Sequence, residues 1–335
     1  MKWSHLVVFT MRSWRKKSDL GGKAKQRSIQ KLAVSHSNRT VWLKKHTLTM
    51  KLLAFCVTFT LAYAFAPRPL TTRRDTALKV ADDAKVVFIT GGSQGLGQAM
   101  AYDIAKDGAK IVINYIDLPG MKDQATETVD EIKKLGGDAI AVAGDVTNPE
   151  DCADMMKEAF EHYGSVDVLI NNAGITKDNL MLRMKPEQWA AVLAVNLSGV
   201  FFCSQAFFKI AIKKKQAGGR VINIASISGM LGNPGQANYS STKGGVISLT
   251  RTCAREFAYK NFKVNAICPG FIETAMTAKI DPEILEKTKE MIPLKRLGKP
   301  SEVAAMAKFL ALNEGADYIT GHCFVVDGGV ATGCT

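Results

Sequence analysis

Tyr239 and Lys243 stand four residues apart in the stretch Asn238-Tyr239-Ser240-Ser241-Thr242-Lys243-Gly244-Gly245. On a helix this spacing puts both side chains on one face, so a phenol and an ammonium can enter one site. A ketone that receives hydride gains negative charge on oxygen and needs a proton. Tyr239 can supply it if its pKa, about 10 when unperturbed, is brought down. Lys243 is placed to do that, because its positive charge favours the phenolate. Ser226 comes thirteen residues before Tyr239, at the end of the strand-like run Arg220 to Ala225, and Asn196 lies earlier in a helical stretch. A Tyr-x-x-x-Lys pair alone is common and means little, so its weight depends on what surrounds it.

Such chemistry needs a hydride source, and the segment Thr90-Gly91-Gly92-Ser93-Gln94-Gly95-Leu96-Gly97 points to one. It follows the apolar run Lys85 to Ile89 and opens a helical stretch. Glycines 91, 95 and 97 let the backbone turn sharply and approach a pyrophosphate, and the amides and dipole of the helix start favour phosphate charge. An ordinary Gly-rich turn has the same look, so context decides. From Ala84 onward apolar runs alternate with amphipathic helical stretches, the pattern of βαβ units and a parallel sheet covered on both faces. Helix Gln98 to Asp107 ends at Gly108, and Lys110 to Tyr115 is the second strand. An acid at the end of that strand binds ribose hydroxyls in many NAD sites, and NADP sites replace it with a cation nearby. By register Tyr115 holds that position, which favours NADPH, while Gln94 and Asp117 weigh the other way. Asp145-Val146 ends the third strand, Ala139 to Ala143, and a plain helix-capping role suits Asp145 equally. The fourth strand runs from Val166 into Asn171-Asn172-Ala173-Gly174.

The spacing Gly-x3-Gly-x-Gly, the Asn-Asn-Ala-Gly segment, and Asn196, Ser226, Tyr239 and Lys243 in that order resemble the short-chain dehydrogenase/reductase family. The resemblance covers Lys85 to about Ala331. It implies an α/β fold with a single Rossmann-type doubly wound parallel sheet and helices on both faces. It also implies that Lys243 holds the nicotinamide ribose, that Ser226 donates to the substrate carbonyl, and that Asn196 holds a proton-relaying water. The cofactor contacts expected are Gly91, Ser93, Gln94, Gly95, Leu96 and Gly97 in the loop, then Tyr115, Asp145 and Val146, then Asn172, Ala173 and Gly174. Near the nicotinamide and diphosphate the resemblance places Pro269, Gly270, Ile272 and Thr274, although Ile272 reads equally well as a buried strand-end aliphatic. Residues Ala275 to Leu297 are expected to cover the substrate, and the stretch from Tyr318 to Gly329 to hold the last strand and a tetramer contact.

Within the family, the segments Gly174 to Met184 and Gly232 to Tyr239 are similar to the 3-oxoacyl-acyl-carrier-protein reductases. NADPH-dependent reduction in fatty-acid elongation, a homotetramer and an acidic carrier-protein partner follow as expectations. Lys213, Lys214, Lys215, Arg220, Lys260 and Lys263 are then expected near the active-site mouth, steering the carrier electrostatically. A solvated helix end explains such a charge run equally well. The alternatives are a reductase of acyl-CoA or another small ketone, separable by carrier preference, and a non-catalytic dinucleotide-binding scaffold, against which the complete four-residue set speaks.

Residues 1 to 64 hold thirteen Lys or Arg and one acid, Asp19, and supply +12 of the formal +13. The basic balance therefore belongs to the leader and gives no reason to expect a nucleic-acid partner. Seven cysteines without a Cys-x-x-Cys pair or a Cys/His cluster argue against zinc and fit a reducing compartment. Met50-Lys51 followed by the apolar run Leu52 to Ala64, ending Ala62-Tyr63-Ala64, is a signal-peptide pattern, too short for a bilayer span of about 20 residues. The hydroxylated, basic segment that follows resembles a transit peptide. The organisation expected is a leader at 1–49 that precedes the true translation start, a signal peptide at 50–64, a transit-like segment at 65–80 and the reductase domain at 81–335, imported into a plastid stroma with no membrane span in the mature chain.

Overall fold

Each apolar run that ends in glycine or a capping residue forms one strand of a parallel sheet. The computed structural model describes residue 81 and residues 83–274, 277–279 and 282–332; the expected leader, signal and transit segments lie outside them. The strands are β1 (Val86–Ile89), β2 (Lys110–Tyr115), β3 (Asp138–Ala143), β4 (Val168–Asn171), β5 (Gly219–Ile224), β6 (Phe262–Pro269) and β7 (Cys323–Val326). They pair in the order β3-β2-β1-β4-β5-β6-β7, every pair parallel. The helices are α1 (Gly95–Ala105), α2 (Met121–Lys134), α3 (Pro149–Tyr163), α4 (Pro186–Leu193), α5 (Gly199–Lys213), α6 (Ser228–Leu231), α7 (Ala237–Phe257), α8 (Pro282–Met291) and α9 (Pro300–Leu312).

Burial on both faces explains why the central strands read as unbroken apolar runs rather than alternating ones. One face is covered through Met100, Ile104, Val129, Ile132, Val303 and Leu310 of α1, α2 and α9. The other is covered through Met155, Met156 and Phe160 of α3 and Phe207 and Phe208 of α5. Each such side chain, fully buried, contributes about 1.5–3 kcal/mol. The helical run 186–213 is apolar enough to cross a membrane, with mean hydropathy 1.7, but it turns Val200, Cys203, Phe207 and Ala211 into the interior. Its apolarity is that of a core helix.

Local signals set the helix ends. Asn148 caps α3 by accepting from the Glu150 amide at 2.9 Å, with Pro149 in the first turn, and Gly164 ends it at φ 82°. Helix α1 begins at Gly95, three residues before the expected Gln98, because Gln98 already donates to the Gln94 carbonyl at 3.2 Å. The strand order reverses between β1 and β4, which opens a crevice at the carboxyl ends of the strands. The loop after β1, the Asn172–Gly174 segment after β4 and Ser226 after β5 all emerge there.

Candidate active site

The loop after β1 is shaped by close approach. Gly91 and Gly95 have φ of +60° and +57°, a conformation that favours glycine. A Cβ on Gly97 would collide with the Gly91 carbonyl and lie 2.6 Å from Asn172 Nδ2. Asn172 Nδ2 donates to the carbonyls of Thr90 and Gly91 at 3.0 Å each, and the Thr90 hydroxyl accepts from the amides of Asn172 and Ala173 at 2.9 and 3.0 Å. The glycine loop and the Asn-Asn-Ala-Gly segment are thus one unit. Gln94 does not cap α1 with its side chain and no acid occupies the first turn. The donors at this helix start suit an anionic pyrophosphate, so the loop fits a dinucleotide. Ser93 is buried, with its carbonyl accepting from Thr128 at 3.4 Å, and Leu96 is half-buried.

Across the crevice, Tyr239 and Lys243 lie one turn apart on α7, with Nζ 5.5 Å from the phenol ring centre. Lys243 is 4% exposed and donates to the Ile224 carbonyl at 2.7 Å. Burial pulls its pKa down to about 8, with Cys268 opposing. Burial pushes the Tyr239 phenol up, its hydrogen bond with Ser226 works the other way, and Asp178 adds to the rise. Lys243 was expected to bring the phenol down; here burial dominates and the phenol sits above its ordinary value. A phenol held protonated is the form that donates in the reductive direction. The Ser226 bond places the two hydroxyls side by side.

Asn196 is fully buried in a π-type turn, Ala194–Ser198, between α4 and α5. Both ends of its amide bond Ile175, which donates to Oδ1 at 2.8 Å and accepts from Nδ2 at 2.9 Å. Gly174 sits over this arrangement: a Cβ there would lie 3.4 Å from Asn196 Oδ1 and 3.7 Å from Lys243 Nζ. The buried Asn238 donates to the carbonyls of Lys177 and Gln188 at 2.9 and 3.2 Å, holding the start of α7 against the loop after β4.

Several expected contacts also pack or hydrogen-bond within the chain. Tyr115 ends β2 but is only 9% exposed and belongs to the apolar cluster beneath α1; Ile116 and Asp117 face the crevice instead. Asp145 accepts from the Thr147 amide at 2.8 Å in the turn before α3, which Asn148 caps, and Val146 packs against Gly199. Ile272 is a buried aliphatic, and Thr274 pairs with Thr277 at 2.9 Å. Pro269 accepts from the Ile227 amide at 3.1 Å, and Gly270 leaves no room for a Cβ beside Asp327.

The basic residues require a correction. Lys213 ends α5, Lys214 and Lys215 precede β5, Lys260 precedes β6, and Lys263 pairs in register with Arg220 at the start of the two strands. They lie at the amino end of the sheet, whereas Ser226 follows the carboxyl end of β5. Six strand residues separate the two ends by about 20 Å. Arg220 is buried and donates to Asp317 at 2.7 Å, with Lys263 3.6 Å from the same carboxylate. In one chain this patch is not at the mouth.

Sequence reasoning passed over Asn114. Its buried amide accepts from the Gly91 N–H at 3.2 Å and donates to the Gly144 carbonyl at 3.0 Å, tying together the loops after β1, β2 and β3. A polar residue inside the apolar strand Lys110–Tyr115 was the available signal. Asn171, Asn223 and Thr250 form a similar buried chain at 2.8 and 2.9 Å beneath the site.

Comparison with known proteins agrees with this geometry. A family model described as enoyl-(acyl carrier protein) reductase matches residues 91–331. The chain is 47% identical over 247 residues to a 3-oxoacyl-[acyl-carrier-protein] reductase of Synechocystis, covering 74% of this chain and 97% of the relative. It is 44% identical over 246 residues to the reductase FabG of Staphylococcus epidermidis, covering 73% and 98%. Among solved structures, a protein described as a short-chain alcohol dehydrogenase of Sinorhizobium meliloti superposes with a TM-score of 0.70 at 35% identity, covering 76% of this chain and 98% of that one. One described as a gluconate dehydrogenase of Agrobacterium tumefaciens gives 0.70 at 34%, with the same coverage. With its glycine loop locked to Asn-Asn-Ala-Gly and its Ser, Tyr and Lys gathered at the strand ends, this chain belongs to the short-chain dehydrogenase/reductase family, nicotinamide-dinucleotide oxidoreductases.

Proposed function

We propose that this chain reduces the 3-oxo group of an acyl chain held on acyl carrier protein to the 3-hydroxy group, in fatty-acid elongation. What carries the reading is 47% identity over 97% of a relative of that name, joined to carbonyl-reducing residues that converge at one end of the sheet. The nicotinamide, when bound, supplies hydride. Tyr239 gives its proton to the carbonyl oxygen, and Ser226, hydrogen-bonded to the phenol, donates to the same oxygen. In a 3-oxoacyl thioester the carbon that takes hydride bears that oxygen. An enoyl bond has no oxygen there, so the pair suits ketone rather than enoyl reduction. Lys243 reaches the nicotinamide ribose hydroxyls. Asn196 shapes the relay-water position through its turn rather than through its amide, which Ile175 occupies.

Acyl carrier protein as partner, a homo-oligomer and a plastid address belong to the same reading. Phe201, Phe208, Ile212, Leu249 and Phe257 of α5 and α7 line an apolar groove. A second copy packed there about a two-fold axis runs its α5 antiparallel, which carries its own Lys213, Lys214 and Lys215 toward the first copy's carboxyl end. Light-scattering mass and the carrier affinity of a triple charge-reversal variant test this. N-terminal peptide mapping tests the plastid leader, and recovery of residues 1–49 would sink the proposed start at Met50. The activity test compares acetoacetyl-carrier protein, acetoacetyl-CoA and crotonyl-carrier protein by loss of reduced-cofactor absorbance. Turnover of the crotonyl substrate alone rejects ketone reduction, and equal use of CoA removes the carrier as required partner.

A further inference from the structure

A crevice of about 510 Å³ opens at the carboxyl ends of β2 and β3, lined by Asp117, Asp145, Asp151, Asp154 and Glu158, with no Lys or Arg among its lining residues. It adjoins the phosphate-binding loop, because Asn114 bonds both Gly91 of that loop and Gly144 of the crevice wall. With a pyrophosphate at the start of α1, this is where the adenosine ribose belongs. NADH and NADPH differ there by one phosphate, which carries about −1.5 to −2 at neutral pH.

The donor set suits a ribose and not a phosphate. Two of the carboxylates are fixed in place, Asp145 by the Thr147 amide at 2.8 Å and Asp151 by the Asp145 amide and Asn148 Nδ2 at 2.9 Å each. Asp117 is exposed on the loop directly after β2, in a position to accept from ribose hydroxyls. Gln94, exposed at the start of α1, is neutral. Tyr115, whose place in the register favours NADPH, lies in the core and not among the residues lining the crevice. The wall therefore offers acceptors to a diol and repulsion to a dianion.

We propose that this chain binds NADH in preference to NADPH and that Asp117 sets the preference. The proposal rests on the reductase reading of the site. Repulsion between one carboxylate and a doubly charged phosphate about 7 Å away in water corresponds to about tenfold in affinity. The test is equilibrium binding of NADH and NADPH to the full chain by calorimetry, at low and high ionic strength, for the natural chain, D117N and D117R. Expected is NADH tighter by about tenfold or more at low salt, with the gap narrowing as salt rises. D117N should narrow the gap several-fold and D117R should close or invert it, with melting temperatures unchanged because Asp117 is exposed. Equal or tighter binding of NADPH to the natural chain overturns the preference. An unchanged ratio in both variants removes Asp117 as its origin. Failure to bind either cofactor would reject the reductase reading itself along with the preference.

Discussion

Lys243 gives the sharpest physical test of the site. It is 4% exposed, and burial lowers its pKa from the ordinary 10.5 to about 8. In the unfolded chain the ammonium regains its ordinary value, so between these two pKa values the unfolded state binds the extra proton and stability rises with pH. At about pH 7 the depressed pKa corresponds to about 3 kcal/mol of destabilisation, relieved by about 1 kcal/mol on going to about pH 9. The substitution Lys243→Met removes this titration together with the hydrogen bond to Ile224. The lost bond shifts stability by a nearly constant amount, so only the change with pH is diagnostic. Urea unfolding of both chains, followed by far-ultraviolet circular dichroism at several pH values, measures it. The natural chain should gain about 1 kcal/mol relative to the variant from about pH 7 to about pH 9. Stability curves that stay parallel would falsify the buried-cation account. In the natural chain kcat/KM for reduction should fall as pH rises through about 8, where Lys243 loses its charge.

Tyr239→Phe should leave dinucleotide binding intact and lower kcat by about 10²–10⁴-fold, the usual worth of a positioned proton donor; steady-state kinetics with near-normal turnover would reject its role. Gly97→Ala should abolish cofactor binding, because its Cβ meets the Gly91 carbonyl and Asn172, whereas Gly95→Ala, with nothing within 4 Å of its Cβ, should lower stability by only about 1–2 kcal/mol for its positive φ. Calorimetric binding and thermal melts separate the two, and equal effects would contradict the packing. Asn114→Leu should cost about 2–4 kcal/mol by leaving the Gly91 amide and Gly144 carbonyl unpaired, and should weaken binding of both dinucleotides. A melt within experimental error of the natural chain would show that the loops do not depend on Asn114.

What could be read from the sequence is what depends on residue type and local spacing. The Tyr239/Lys243 spacing, the glycine loop and the parallel sheet all follow from short-range patterns, because a strand buried on two faces and a helix with one polar face each leave a local signature. Asn114 escaped because one polar residue in an apolar strand shows its meaning only when the loops it bonds are brought beside it. The burial of Tyr115 escaped for a related reason, since a strand's last residue can point into the core while the next two reach the crevice. Charge complementarity between Tyr239 and Lys243 is evident in the spacing, but the desolvation that raises the phenol and lowers the ammonium depends on burial, which no spacing reports.

The lysines illustrate a more general error. Lys213 precedes Ser226 by thirteen residues and Lys260 follows Lys243 by seventeen, so both look close to the site along the chain. A parallel sheet defeats that intuition. Every strand carries the chain from one end of the molecule to the other and every helix carries it back, so residues half a βα unit apart lie at opposite ends. Helix α5 leaves the site at Gly199 and delivers Lys213 to the far end, and β5 then returns the chain to Ser226. Helix α7 leaves at Tyr239 and delivers Lys260 in the same way. In this architecture a basic cluster at the helix ends can serve a site at the strand ends only across a subunit boundary. Electrostatic capture of an acidic carrier by these lysines at the site therefore requires a second copy of the chain.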